Sequence, residues 1–494
     1  MKQKITADTV IISAFSMVLQ LLSIALNIII TKNMGESAVG ILSLVSQFFV
    51  FALTLSNGNI FSVSSRFISE EIGRKGNVEK VISYCLFSGV GLSLLFSVIL
   101  FFLAKKIYNE NLSLVAIRIM ALSLPLATTG SCIKGYFHAR RMVIIPCVAD
   151  FTEFFVKGVS LILMILAFAK NGIMDILTCS AVSVMSGEIV SCIMLCVFYV
   201  KEKLPHSDEN AKISFKQFIK LSLPITVGAY IFVLLSGSNE ALVPLMLKNF
   251  SDSYETALSQ YGIFEGIIIP VIFFPSTLLQ SLSLILLPET ARETQSKNSE
   301  KVKELSSDAL RKAFSIAIIS AFFIFSYADE LGGMLSDSPL VIKTLKLICP
   351  VIPFIYVEIV TESILKGMGK QTFCIINSMA EYIIRISAVL IFVKMIGFYG
   401  VIVSYFLSNI ICNIVRISAL MKLTGVSFDF VGNILIPVFS SMVSIKLSRI
   451  LWSVFPVGVF SLIISGIFAV AIFILINLAL NKFCLNQTKK STFV

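Results

Sequence analysis

The sequence predicts an all-α polytopic membrane protein with about 14 transmembrane helices, and three observations carry that reading. Of 494 residues, 56% are hydrophobic and only 14% charged, where a soluble globular chain carries roughly 25% charge. Mean hydropathy is +0.92. The apolar residues fall in runs of about 20, the length that crosses about 30 Å of hydrocarbon. Between the runs, Lys and Arg are concentrated in the loops of one side, as on the cytoplasmic side of a membrane. A water-soluble enzyme is excluded. The net charge of +11 belongs to loops opposite anionic lipid headgroups, so membrane lipids are the partner and nucleic acid is not.

Read in order, the spans lie at roughly 9–31, 38–61, 81–104, 114–137, 143–169, 176–200, 219–247, 261–288, 309–328, 340–366, 371–395, 398–422, 430–452 and 456–480. The first follows a short basic segment with Lys2 and Lys4. It is too long for a signal-peptide core and lacks a small-x-small cleavage site, so it is a retained span. No gap is long enough for a separate soluble domain. Basic residues gather after spans two, four, six, eight, ten and fourteen, as Arg66, Arg74, Lys75 and Lys80, then Arg140 and Arg141, then Lys201, Lys203, Lys212 and Lys216. Both termini are therefore cytoplasmic, at the plasma membrane.

The first six spans overlay on the next six. Span four ends Ile133-Lys134-Gly135 and span ten ends Leu365-Lys366-Gly367. Each is followed by a basic turn and then a span with a carboxylate four residues before a base, Glu153 with Lys157 and Glu381 with Arg385. Six spans per unit make the repeats parallel, related by an axis along the membrane normal, with a substrate path between them. The division is about 1–200 for an N-terminal six-helix lobe and 201–218 for a cytoplasmic linker. A C-terminal six-helix lobe takes about 219–422, two additional helices about 430–480, and a cytoplasmic tail about 481–494.

Ionisable groups at mid-span are costly, about 2.5–3.5 kcal/mol each on insertion scales, so they face one another or a wet cavity. They are Asp150, Glu153 and Lys157 in span five, Glu188 in six, Glu240 in seven, Glu358 and Glu362 in ten, and Glu381 and Arg385 in eleven. Glu before Lys or Arg at i,i+4 places both on one face, in the favourable order. Each pair reads either as a neutralising bridge between spans or as the lining of a hydrated cavity, and the two are compatible. Arg118, Glu265, Lys446 and Arg449 near span ends snorkel to headgroups, and His138 and His206 sit in cytoplasmic loops. Ten Cys without CxxC or Cys/His spacing read as small buried hydrophobes, and no metal or cofactor site is read. Gly367-Met368-Gly369-Lys370 lacks the earlier Gly and the Ser/Thr of a phosphate loop. Prolines at 125, 224, 270, 275, 350, 353 and 437 interrupt spans where protein or water must satisfy the freed backbone, a device suited to a moving transporter.

Several strings, taken in order, resemble a known family. Span eight reads Gly266-Ile-Ile-Ile-Pro270, Phe274-Pro275, Ser281-Leu-Ser283 and Leu287-Pro288-Glu289. Span seven opens Leu221-Ser-Leu-Pro224-Ile-Thr226 and closes Asn239-Glu240-Ala-Leu-Val243-Pro244. Early loops read Lys32-Asn-Met-Gly35-Glu-Ser-Ala-Val-Gly40 and Ser65-Arg66-Phe67-Ile68-Ser69-Glu70. Together these resemble the stage V sporulation protein B group of flippases, within the multidrug/oligosaccharidyl-lipid/polysaccharide exporter superfamily, over nearly the whole chain. The resemblance implies alternating access and an undecaprenyl-linked oligosaccharide or cell-wall precursor as cargo. The group often has Arg where Lys32 and Lys157 stand, so charge persists without bidentate phosphate recognition.

Two transport functions stay open at this point, beside a non-transporting membrane protein such as a polymerase or assembly scaffold. A lipid-linked oligosaccharide flippase would meet the diphosphate with Arg66, Lys157 and Arg385. A cation-coupled drug or metabolite exporter would use Asp150, Glu153, Glu188, Glu240 or Glu381 for the coupling cation or a cationic compound. A glycosyltransferase or polymerase would carry a catalytic constellation in a large outer loop, and the chain has none, so an enzyme is not the reading. The orientation is directly testable. In a cysteine-free background, cysteines replacing Asp208 or Asn298 are expected to react only with reagent supplied from the cytoplasmic side. Labelling of either from outside would reverse the topology.

Overall fold

The computed structural model describes residues 2–73, 76–107, 113–169, 175–202, 213–452 and 458–491. Every element among them is helical, because in hydrocarbon a single span satisfies its backbone only as a helix. Spans one to seven are Lys2–Met34, Glu36–Asn57, Val78–Ile107, Leu114–Ala139, Ile144–Met164 extended by a π-helical turn to Ala169, Ile176–Lys201 and Phe215–Ser251. Span eight is Tyr254–Phe273, then a turn, then Thr277–Gln295. Spans nine to fourteen are Ser299–Ser326, Pro339–Gly367, Gln371–Ile396, Phe398–Thr424, Val431–Trp452 and Val459–Ser491. Thirteen of these are long and apolar enough to cross a membrane. Span eleven is the exception; it carries Glu381 and Arg385 and is interrupted by a π-helical segment at Val389–Val393. The chain is an all-α, multi-pass membrane protein with about 14 spans. Arg74, Lys75, Lys170, Lys203, His206 and Lys212 lie outside the described residues, as does most of the 201–218 linker.

Helix ends follow local chemistry. Asp175 caps span six by accepting from Thr178 N at 3.0 Å, and Ser214 with Gln217 forms a capping box at the start of span seven. Span two stops at Gly58 and Asn59, both at φ 60°. Glycine takes that conformation without strain, and Gly58 also admits Thr226 of span seven, whose hydroxyl donates to Gly58 O at 3.2 Å. A further helix, Ile60–Gly73, follows the break. Span eight breaks at Phe274–Ser276, around Pro275. Beside that break the buried Tyr356 hydroxyl donates to Ile272 O at 2.6 Å, the protein-supplied partner that an interrupted span needs.

Contacts divide the chain into two compact units, Met1–Gly262 and Ile263–Val494. In the first, span four packs on spans three and six and on Ile60–Gly73, and span five packs on span six. In the second, Thr277–Gln295 and span nine pack on span ten, span eleven on twelve, and thirteen on fourteen and nine. Span seven packs within the first unit, against span two and Tyr254–Tyr261, whereas the repeat overlay groups it with the later spans. Each Lys-Gly motif makes the same kind of approach. A Cβ on Gly135 would lie 2.8 Å from Phe61 O and 3.1 Å from Ser64 Cβ, and one on Gly367 would lie 2.7 Å from Leu287 O and 2.9 Å from Thr290 Cβ.

The closest backbone approach in the first unit joins span two to the start of span eight. A Cβ on Gly40 would lie 2.9 Å from Leu258 C, one on Gly262 would lie 2.9 Å from Gly40 Cα, and Ser259 donates to Glu36 Oε2 at 2.9 Å. Backbone cannot yield as a side chain does. Gly262→Leu is therefore expected to lower the thermal midpoint of the detergent-solubilised protein, with at least the ~1–3 kcal/mol of ordinary overpacking. Gly228→Leu, where a Cβ meets nothing within 4 Å, is expected to leave it in place. Equal midpoints for the two variants would contradict the crossing.

Candidate functional site

The charged residues of spans ten, eleven and twelve meet in the C-terminal unit around a cavity of about 380 Å³. Three carboxylates, Glu358, Glu362 and Glu381, and two bases, Lys366 and Arg385, line it, with Tyr382, Tyr405 and Asn409. Span ten delivers Glu358, Glu362 and Lys366 from one face at four-residue steps, and Lys366 Nζ bridges Glu362 Oε1 at 2.8 Å. Span eleven delivers Glu381 and Arg385, both buried. Arg385 Nη2 bonds Glu381 Oε1 at 2.5 Å, and its Nε donates to Ser408 Oγ of span twelve at 3.0 Å. The guanidinium lies over the Tyr405 ring, 4.2 Å from its centroid, a cation–π contact that holds the charge at the wall.

Behind the wall stands Arg416 of span twelve, fully buried at 0% exposure. Its Nη1 lies 2.9 Å from Glu358 Oε1 and donates to Asn413 Oδ1 at 2.9 Å. Asn413 in turn donates to Glu358 Oε2 at 3.4 Å. Arg416 Nη2 has no hydrogen-bond partner and lies 3.9 Å from Glu381 Oε2. Acid and base thus alternate as Glu358, Arg416, Glu381 and Arg385. Such a chain keeps each charge compensated in a low-dielectric setting, where an unpaired one is expensive. It also leaves a guanidinium at a cavity that an anion or a planar polar group can enter.

The N-terminal unit holds a looser counterpart. Glu153 does not pair with Lys157. Lys134 of span four bridges Glu153 Oε2 at 3.0 Å and Asp150 Oδ1 at 2.7 Å, so a cross-helix base displaces the i,i+4 partner. Gly187 lets span six approach span five, with a Cβ position 3.0 Å from Glu153 O and 3.2 Å from Lys157 Cβ. That approach brings Glu188 within electrostatic reach of Glu153, Lys134, Lys157 and Asp150.

Other residues singled out in the sequence stand apart. Glu240 accepts from Tyr261 Oη at 2.7 Å and lines a separate, mostly apolar cavity of about 410 Å³ with Phe48, Phe51 and Leu234. Arg66 is 56% exposed on the Ile60–Gly73 helix and bridges Glu70 at 3.0 Å. His138 is not a loop residue. Span four runs on to Ala139, and His138 is half-buried, edge-on to Phe61 at 5.1 Å. Arg449 does not simply snorkel. It pairs with Glu330 and lies over Tyr327, 4.1 Å from the ring centroid. Among the described residues, no His, Cys, Asp or Glu side chains group as a metal site. Arg416 was not singled out, although Asn409, Asn413 and Arg416 recur at i, i+4 and i+7 along span twelve, a polar stripe at helical spacing.

The chain is similar in sequence and in fold to known proteins. Stage V sporulation protein B of Bacillus subtilis (strain 168) is 23% identical over 399 residues, 78% of this chain and 77% of that protein. The fold matches an inward closed conformation of the lipid II flippase MurJ with a TM-score of 0.72 at 12% identity, covering 96% of this chain and 100% of that one. It matches an inward-facing multidrug resistance MATE family transporter of the MOP superfamily with a TM-score of 0.63 at 15% identity, covering 84% of this chain and 99% of that one. The sequence also matches the polysaccharide biosynthesis protein family over residues 5–288. With more than half of its length matched, the chain belongs to the polysaccharide biosynthesis protein family.

Proposed function

We propose that this protein is an alternating-access flippase that carries an undecaprenyl-linked oligosaccharide or cell-wall precursor across the plasma membrane, with both termini cytoplasmic. Family membership is the observation that carries the reading. The relative active in sporulation and the flippase fold, which extends over nearly the whole chain, support it. The cargo's polar part is a sugar on a diphosphate. Arg385 and Lys366 at the C-terminal cavity supply the bases it needs, and a guanidinium suits a diphosphate by offering a planar pair of donors. Arg66 and Lys157 are the N-terminal candidates, Lys157 as a point charge only.

Coupling falls to the carboxylates. Asp150, Glu153 and Glu188 around Lys134, Glu240 beside Tyr261, and Glu381 are the candidates for a monovalent cation or proton. The second reading, a cation-coupled exporter, draws on the same carboxylates and on the MATE-like fold. The C-terminal cavity balances three acids against two lining bases with Arg416 behind, so its charge does not select the exporter.

The two roles of Arg385, bridge and anion ligand, separate by mutation. Arg385→Ala removes the near partner of a buried carboxylate and is expected to destabilise the protein, read as lowered expression or thermal midpoint. The loss should be less than the about 3–5 kcal/mol of a fully stranded charge, because Arg416 Nη2 stands 3.9 Å from Glu381. Glu381→Gln with Arg385→Gln removes both charges and is expected to restore folding. In reconstituted vesicles this double variant should translocate fluorescent undecaprenyl-diphosphate sugar far more slowly than the parent. Full translocation by a well-folded double variant would reduce Arg385 to a structural residue. Export of a cationic dye, with no movement of the lipid by the parent, would favour the second reading.

A further inference from the structure

We propose that Arg416 is a positioning residue that takes over Glu381 when an anionic headgroup occupies Arg385. The inference rests on the flippase reading, since it assumes a phosphate-bearing ligand at the C-terminal cavity.

The difficulty for any such ligand is Glu381. Its carboxylate already holds Arg385 at 2.5 Å, and an arriving phosphate would meet that negative charge beside the base it seeks. The geometry supplies a way out. Glu381 Oε2 lies 3.9 Å from Arg416 Nη2, a buried donor with no hydrogen-bond partner. A swing of roughly one ångström brings that pair to hydrogen-bond distance. Arg416 can accept the second carboxylate without releasing the first, because Glu358 is held on Nη1 and through Asn413, and a guanidinium has donors on three nitrogens. Arg385 stays seated over Tyr405 and bonded to Ser408, with its Nη2 released towards the ligand.

In the empty state the four charges are paired as Glu358–Arg416 and Glu381–Arg385. In the loaded state both carboxylates sit on Arg416 and the phosphate sits on Arg385. The exchange keeps each carboxylate on a guanidinium in both states, and leaves Arg385 to meet the anion without a carboxylate competing for it.

The test uses the full-length protein in nanodiscs and fluorescent undecaprenyl diphosphate as the probe, in a binding titration. Removing Arg416 alone leaves Glu358 stranded, so the informative variant is the balanced pair Glu358→Gln with Arg416→Gln. It is expected to bind the probe about tenfold more weakly than the parent, because Glu381 then has only Arg385 to hold. Adding Glu381→Gln should return affinity to within about threefold of the parent, since the competitor is gone. A purely structural role for Arg416 would give no such recovery. Unchanged affinity in the balanced pair, or no recovery on adding Glu381→Gln, would overturn the exchange while leaving the flippase reading intact. A parent protein that binds no probe would overturn both.

Discussion

A buried charge in hydrocarbon must have a partner, and the C-terminal half of this protein is arranged around that constraint. Glu358, Arg416, Glu381 and Arg385 come from three different spans and compensate one another in sequence. Span eleven pairs its own Glu381 and Arg385, whereas span ten leaves Glu358 and span twelve leaves Arg416 to compensate each other across helices, which ties the register of those two spans to the pairing. The chain also explains why the bases are available at all. A lone guanidinium at mid-span would be expelled or neutralised, whereas one held by a carboxylate and an aromatic face can wait at a cavity wall.

Close helix contact is the second requirement, and glycine supplies it at a few positions. Gly187 seats the charged face of span five on span six, and Gly40 with Gly262 lets span two cross the start of span eight backbone to backbone. Interruptions are handled differently. Where Gly58 and Pro275 break spans two and eight, Thr226 donates to the Gly58 carbonyl at the first break, and Tyr356 donates to that of Ile272 beside the second. At each break the protein thus supplies a hydrogen-bond donor for a backbone carbonyl.

The fold was largely legible in the sequence because a span announces itself by length and apolarity. Among the described helices only span eleven, which carries Glu381 and Arg385 and a π-helical interruption, lacks that signal in the structure. Glu381 with Arg385 was legible because both partners lie on one helix, at a spacing fixed by its pitch. Glu153 was not, because its partner Lys134 comes from another span and no local rule ranks a cross-helix base above an i,i+4 one. Arg416 was missed because its partner Glu358 comes from another span, so only the polar stripe of Asn409, Asn413 and Arg416 along span twelve marked it in the sequence.

The central claim is that a diphosphate is received at Arg385 while the surrounding charges stay paired. The most direct test is a structure of the protein in nanodiscs with undecaprenyl-diphosphate sugar bound. The account predicts phosphate oxygens at hydrogen-bond distance from Arg385, and the Glu381 carboxylate turned onto Arg416. A diphosphate bound elsewhere, with Arg385 and Glu381 still joined and Arg416 Nη2 still without a partner, would contradict it.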